Sequence, residues 1–421
     1  MKQIALLFLI VLHIQSFAAD RVVEEFGFPP AYSSIGAAVA AANSGDRIII
    51  KNRAGNIPWI ENITIDKSLQ FLSYSNDDFF IVQGNYTIEF IPGLEVDIVG
   101  MRNTSGNLNQ GSAAAGNREA KVRLMDSWFQ DGNVSFTSNF FDCDIVGNRI
   151  DNGLVAISIG NLIGNDVTGT NVGTSLVSVV NSTSTFLGDT CLIIGNRINY
   201  TSSLSQQYSL HVDNRQQVVH VKNNFVRYSS TGIRISGSIS EPIPNIIWNN
   251  TTLGQSSFNT STSYGIYVFQ TISTSIWEVM NNVCVMGTLG MNNRRGIGYS
   301  SGSSQGGTAN CYYNHIGAGF SPAISGGWTF ADLNETNQDI ALDGDDGSFT
   351  NEPNAIDGGN PAPLFYDIDL TPNDAGCWGG SYTQQNFFPL HTGVTRVYNV
   401  IYPFNVRAGN TMNVKAFSFD R

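Results

Sequence analysis

Cys143-Asp144-Ile145-Val146-Gly147-Asn148-Arg149-Ile150 is the stretch on which the fold turns. It returns as Cys191-Leu192-Ile193-Ile194-Gly195-Asn196-Arg197-Ile198, and its first half stands earlier as Val96-Asp97-Ile98-Val99-Gly100. The three glycines lie 47 and 48 residues apart. Each unit is a short apolar strand, a two-residue break and a second short apolar run. A fixed internal period of this kind marks stacked units, and two coils of roughly two dozen residues fit each interval. The pattern continues as Val221-Lys222-Asn223-Asn224-Phe225-Val226, Ile247-Trp248-Asn249-Asn250, Val279-Met280-Asn281-Asn282-Val283 and Tyr312-Tyr313-Asn314. From Asn196 the asparagine steps are 28, 26, 32 and 32 residues. A constant sheet core with loops of unequal length explains such steps, with roughly ten coils between residue 46 and about residue 330. Asn tolerates the left-handed backbone that a sharp corner demands, and stacked Asn side chains can bond from coil to coil.

Composition agrees. The chain has 421 residues, 42% hydrophobic and 13% charged, with 43 Gly, which is a turn-rich and strand-rich profile. A net charge of -12 repels nucleic-acid phosphates and so disfavours nucleic acid as a partner. Residues 1–19 predict a secretion leader: Lys2, the apolar run Ile4 to Leu12, then Ser16-Phe17-Ala18-Ala19. The run is too short to span a membrane, and no later stretch reaches that length, so no integral membrane segment is expected. The mature chain is then expected to begin near Asp20, secreted or at the cell surface. Cys143, Cys191, Cys284, Cys311 and Cys377 read as buried small apolar residues, with a Cys284–Cys311 disulfide open as an alternative.

Ser33 to Asn43 predicts a helix, capped by Ser33 or Ser34 and ended by Gly45, that covers the first open rung. With Arg47-Ile48-Ile49-Ile50 and Glu61-Asn62-Ile63-Thr64-Ile65, it resembles the N-terminal lead-in of secreted right-handed β-helix proteins, the architecture of pectate lyases and related carbohydrate-active proteins. Asp357-Gly358-Gly359-Asn360-Pro361 and Asp367-Ile368-Asp369-Leu370-Thr371 resemble the closing segment of bacterial extracellular β-helix proteins, although Leu370-Thr371 replaces the usual Asp-Gly. The expected fold is therefore all-β: a right-handed parallel β-helix over 46–380, with an N-terminal cap over 20–50 and a C-terminal strand tail over 381–421. In that tail Val397-Tyr398-Asn399-Val400-Ile401 and Met412-Asn413-Val414-Lys415-Ala416-Phe417 flank a turn at Arg407-Ala408-Gly409-Asn410.

The resemblance implies recognition or processing of an extracellular polysaccharide, with a non-catalytic adhesin and a polysaccharide lyase as alternatives. A lyase needs a base beside a neutralised uronate carboxylate. Arg149 and Arg197 occupy equivalent repeat positions, with Arg215, Arg227 and Arg234 in neighbouring coils, and an arginine ledge along one sheet would bind such carboxylates. A hydrolase needs paired carboxylates. Asp142 and Asp144 share one strand face by the period of two, among the wider set Asp126, Asp131, Asp166, Asp189 and Asp213. Asp339, Asp343, Asp345 and Asp346, interleaved with Gly344 and Gly347, form an acidic run with oxygen ligands suited to Ca²⁺. Trp128, Trp248, Trp277 and Trp328 are candidates to stack sugar rings. The triplets beginning at Asn62, Asn85 and Asn133 match glycosylation acceptors.

Overall fold

The computed structural model describes residues 18–75, 78–112, 119–170, 175–181, 183, 188–201, 208–237, 243–255, 262–270, 274–287, 293–301, 307–380, 395–401 and 414–420. The leader expectation falls almost wholly on residues outside this set. Three long parallel sheets, here A, B and C, run the length of the stack with 13, 12 and 11 strands. Each coil contributes one strand to A, turns a tight corner into B, turns again into C, and returns to A. The protein is a parallel β-helix.

Alternation sets which side chains fill the interior. On sheet A one inward column runs from Ile48 and Phe71 through Ile98, Leu124 and Ile145 to Val279 and Cys311. Each such residue is fully buried and contributes roughly 1.5–3 kcal/mol. All five cysteines lie buried as free thiols, so Cys284 and Cys311 are unbridged.

The A–B corner takes two residues in coil after coil, and the two have separate jobs. The first adopts the left-handed backbone: Gly147 at φ 64°, Gly195 at 64°, Asn223 at 52°, Asn249 at 53° and Asn281 at 57°. The second is the ladder residue. The Oδ1 of Asn224 accepts both the backbone N–H (3.0 Å) and the side-chain amide (2.9 Å) of Asn196, and the Asn224 amide donates to Ile193 O (2.8 Å) and Asn250 Oδ1 (2.9 Å). The same pattern joins Asn148, Asn165, Asn196, Asn224, Asn250, Asn282, Asn314 and Asn334. The expectation that the asparagines themselves take the strained backbone therefore holds only for the first residue of the Asn-Asn corners. Two corners outside the repeated signature, Asp126-Ser127 and Gly164-Asn165, close the intervening coils. Such short coils bring the stack to twelve corners rather than ten.

The ends are covered. Helix α1, Ile35–Ala41, is capped by Ser34, whose hydroxyl accepts from Ala37 N at 3.1 Å, and the Glu61 carboxylate accepts from Ile35 N and Gly36 N at 2.9 and 2.8 Å. Ile35, Ala38 and Val39 bury against the first coil. At the other end the closing segment folds back over the A–B corners. Asn223 donates to Cys377 O and Gly379 O, Asn249 donates to Asn373 Oδ1 and Asp374 O, and Asn281 Oδ1 accepts from Asn360 N. This explains the change from Gly-Asn to Asn-Asn corners at residue 223: a glycine turns the chain equally well but has no amide with which to hold a covering segment. In the tail, Thr395–Ile401 pairs antiparallel with Lys415–Asp420; the expected turn lies outside the described residues.

Candidate functional site

The B–C corner carries a second asparagine column. Sheet C strands are preceded by Asn62, Asn85, Asn107 and Asn133, and the Oδ1 of each accepts the backbone N–H one coil on: Asn85 N at 2.8, Asn107 N at 2.9, Asn133 N at 2.8 and Leu154 N at 3.0 Å. Their side-chain amides donate to no protein group among the described residues and face water. Beside them runs a glycine column. A Cβ on Gly106 would lie 2.1 Å from Gly84 O, and one on Gly132 1.9 Å from Gly106 O. With φ at 138°, Gly106 has no ready substitute. The missing side chains let successive coils close up here, and beside them lies a groove of about 550 Å³ along several coils, walled by Glu61, Gln83, Ser105 and Asp131 and by the asparagines. The triplets at Asn62, Asn85 and Asn133 are thus three rungs of one column, with Asn107 as the rung between the last two.

The groove borders the outer face of sheet C. One outward column there runs Thr64, Thr87, Asn109, Ser135, Ala156, Ser178, then His211, Arg234 and Tyr267. Small polar groups give way to a cluster of aromatic and basic ones. Its geometry depends on glycine. Gly232 and Gly265 turn inward, where a Cβ would press on Gly265 O and on the Cys284 thiol, so their neighbours Thr231 and Tyr264 lie outward. Gly298 seats the Tyr264 ring, since a Cβ would meet Cε1 at 2.2 Å. Tyr264 stacks on Tyr267 with centroids 4.4 Å apart and planes 23° apart. Arg295 sits over Tyr264, Arg234 over Tyr208 at 4.6 Å, and Tyr208 against His211 at 4.9 Å. Arg234 donates to the Tyr208 hydroxyl, and its Nε is buried with no partner among the described residues. Burial lowers both the Arg234 guanidinium and the His211 imidazole, the latter partly offset by Asp213. The cluster offers flat apolar rings, a cation with unused donor capacity and a neutral imidazole, side by side.

The residues singled out from sequence lie elsewhere. Asp142 and Asp144 share the outer face of sheet A as expected, but both pair with Lys121, at 3.7 and 3.0 Å, and Asp144 also accepts from Asn161. Arg149 and Arg197 stand in one column of sheet B with Asp166 between them. Arg149 pairs with Asp151 and lies over the Trp128 ring; Arg197 pairs with Asp166 and donates to Asp345 O. This column alternates charge and aromatic groups, so its cations are already engaged. Arg227 is also on sheet B, but Arg234 is on sheet C and Arg215 pairs with Asp213 at the end of a C strand. Coil repetition puts successive arginines on different sheets, so no single arginine ledge forms. Trp277 is core and Trp248 lies under Phe365 of the closing segment; the stacked aromatic pair at the surface is Tyr264 with Tyr267.

In the acidic run, the Asp343 carboxylate accepts from Asp345 N and that of Asp346 from Ser348 N, so both cap turns. Asp339 contributes its carbonyl, to Asn351. Among the described residues no three His, Cys, Asp or Glu side chains gather as a metal-ligating group, and no helix is long and apolar enough to cross a membrane. His211 and Arg234 were visible individually in the sequence. The signal that joins them, a spacing of one coil on the third strand, needed the register to be read. Compared with protein-family models, curated proteins and solved structures, the chain finds no match.

Proposed function

We propose that the protein binds an extracellular polysaccharide along sheet C, with Tyr264 and Tyr267 as the stacking platform and the asparagine groove, on earlier coils of the same side, as its polar continuation. The observation that carries this reading is the stacked Tyr264–Tyr267 pair beside Arg234 and His211, at the end of a column of small polar residues. Rigid rings present large amphipathic area at small entropic cost, and a few placed polar groups set orientation. Free Asn amides suit hydroxyl and carbonyl oxygens of neutral sugars, while Arg234 suits a uronate carboxylate. The test is calorimetric titration of the full chain with neutral and uronate glycans, with and without Ca²⁺, against Tyr264→Ala. Binding that falls at least tenfold in a folded Tyr264→Ala protein supports the reading. Equal binding in both proteins, or none to any glycan, overturns it.

Eliminative cleavage is a second reading, favoured by a neutral His211 next to Arg234. There the guanidinium neutralises the uronate carboxylate and the imidazole takes the proton beside it. The electron pair forms the ring double bond as the glycosidic oxygen leaves and takes a proton from water, and the imidazolium then releases its proton to solvent. Absorbance of unsaturated product in the same titrations separates cleavage from adhesive binding without turnover.

A further inference from the structure

Arg294 opens a sheet C strand, yet its side chain points inward and is 1% exposed. Its Nη2 donates to Gln255 O at 2.9 Å, while Nε and Nη1 have no partner among the described residues. The groups around it add donors. A Cβ on Gly254 would lie 2.8 Å from Arg294 Nη1 and 3.3 Å from the Tyr228 hydroxyl, which places those two groups together. The Tyr228 hydroxyl and Gln255 Nε2 are likewise buried and unpaired among the described residues. No carboxylate pairs with Arg294 among the described residues, and the adjoining stretches 256–261 and 288–292 contain no Asp or Glu. The titratable neighbours do not supply the charge. Burial pushes the Tyr228 phenol up, and pushes the nearby Cys284 thiol up to about 12, so both are neutral.

A buried cation without a counter-charge costs several kcal/mol, and unpaired buried donors call for an unseen partner. We infer that Arg294, Tyr228 and Gln255 form an internal site for a small monovalent anion such as chloride, enclosed between sheets B and C. The anion would accept from Arg294 Nε and Nη1, from the Tyr228 hydroxyl and from the Gln255 amide. Its role is to complete the coils on which Tyr264 and Arg295 stand, since Arg294 is the residue next to Arg295 and pairs in register with Ser263, next to Tyr264.

The experiment uses the full chain and bromide as the probe. Crystals grown in sodium bromide are expected to show an anomalous peak beside the Arg294 guanidinium. In solution, replacing sodium gluconate by sodium chloride at constant ionic strength is expected to raise the melting temperature saturably by roughly 2–4 °C. Arg294→Met removes the charge at similar volume and is expected to abolish both the peak and the chloride dependence. A bromide map with no peak at Arg294 overturns the assignment. So does a chloride dependence that is the same in R294M and the native chain. Because the native crystal decides the first point, the test stands even if the variant does not fold.

Discussion

Two columns of asparagine climb this protein, and they do opposite things. At the A–B corner every polar atom of Asn224 is engaged: the oxygen accepts twice and the amide donates twice, in a fully buried setting. At the B–C corner Asn107 uses its oxygen once, to hold Asn133 N, and leaves its amide to the groove. Both columns keep the coils in register, but one is saturated and the other retains donors. The saturated ladder is a spine; the other presents unspent donors, on which the proposed binding draws.

The sharpest way to break the comparison is Asn224→Ala. It strands the backbone N–H and the side-chain amide of Asn196, both buried, at an expected cost of about 3 kcal/mol, read as a drop in the denaturation midpoint. In a stack whose stability is a sum over neighbours, that loss should weaken the middle of the protein first, and hydrogen exchange would locate it.

The second prediction concerns pH. His220 lies on the outer face of sheet A between Leu192 and Ile246, and burial, helped by the Lys222 charge, pulls its imidazole down to about 3. It stays neutral in the folded chain while the unfolded chain takes up a proton below its ordinary 6.5. Stability present at pH 7 is therefore lost as pH falls through 6.5 toward 3, by about 2 kcal/mol at pH 5. His220→Gln should flatten that slope; an unchanged slope would show that His220 is not the cause.

The third concerns Lys222, immediately before the Asn223-Asn224 corner. It occupies an outward column otherwise filled by Val146, Ile163, Ile194 and Trp248. Burial lowers its ammonium to about 8. It is still charged at pH 7, and stability should rise as pH climbs from 8 toward 10.5. Lys222→Met should raise stability at pH 7 by about 1 kcal/mol, and a lower midpoint would refute this.

The smallest effect is the most telling. Asn107→Ala should change the folding midpoint by less than about 0.5–1 kcal/mol, because Asn133 N lies at the groove where water can replace the lost oxygen. Glycan affinity should fall nonetheless. If the stability losses of Asn107→Ala and Asn224→Ala proved equal, the distinction between spine and surface would fail.

The spine was legible in sequence because its corner is short and repeats literally, as in Gly147-Asn148 and Gly195-Asn196. The corner at Asp126-Ser127 escaped because a left-handed Asp and a Ser do the work there. The exposed ladder was also in plain sight, in Asn62-Ile63-Thr64, Asn85-Tyr86-Thr87 and Asn133-Val134-Ser135. It reads as scattered acceptor triplets because the short coils between them carry no literal repeat. Tyr208, His211, Arg234, Tyr264 and Arg295 were harder, since no local spacing links residues that meet only through the pairing of four successive strands. Arg149, Arg197, Asp142 and Asp144 stood out for the opposite reason: they flank the loudest repeat, and so belong to the scaffold's own ion pairs.

The docking of the closing segment on Asn223, Asn249 and Asn281 has a mechanical consequence. Residue 379 is held by Asn223 and residues 373 and 374 by Asn249, so tension applied at residue 380 enters at the coils of Asn223 and Asn249, well before the last rung. The load is shared among the several bonds that Asn223 and Asn249 make to the segment. A molecule tethered or tugged by that end would resist from its waist, leaving the terminal coils slack.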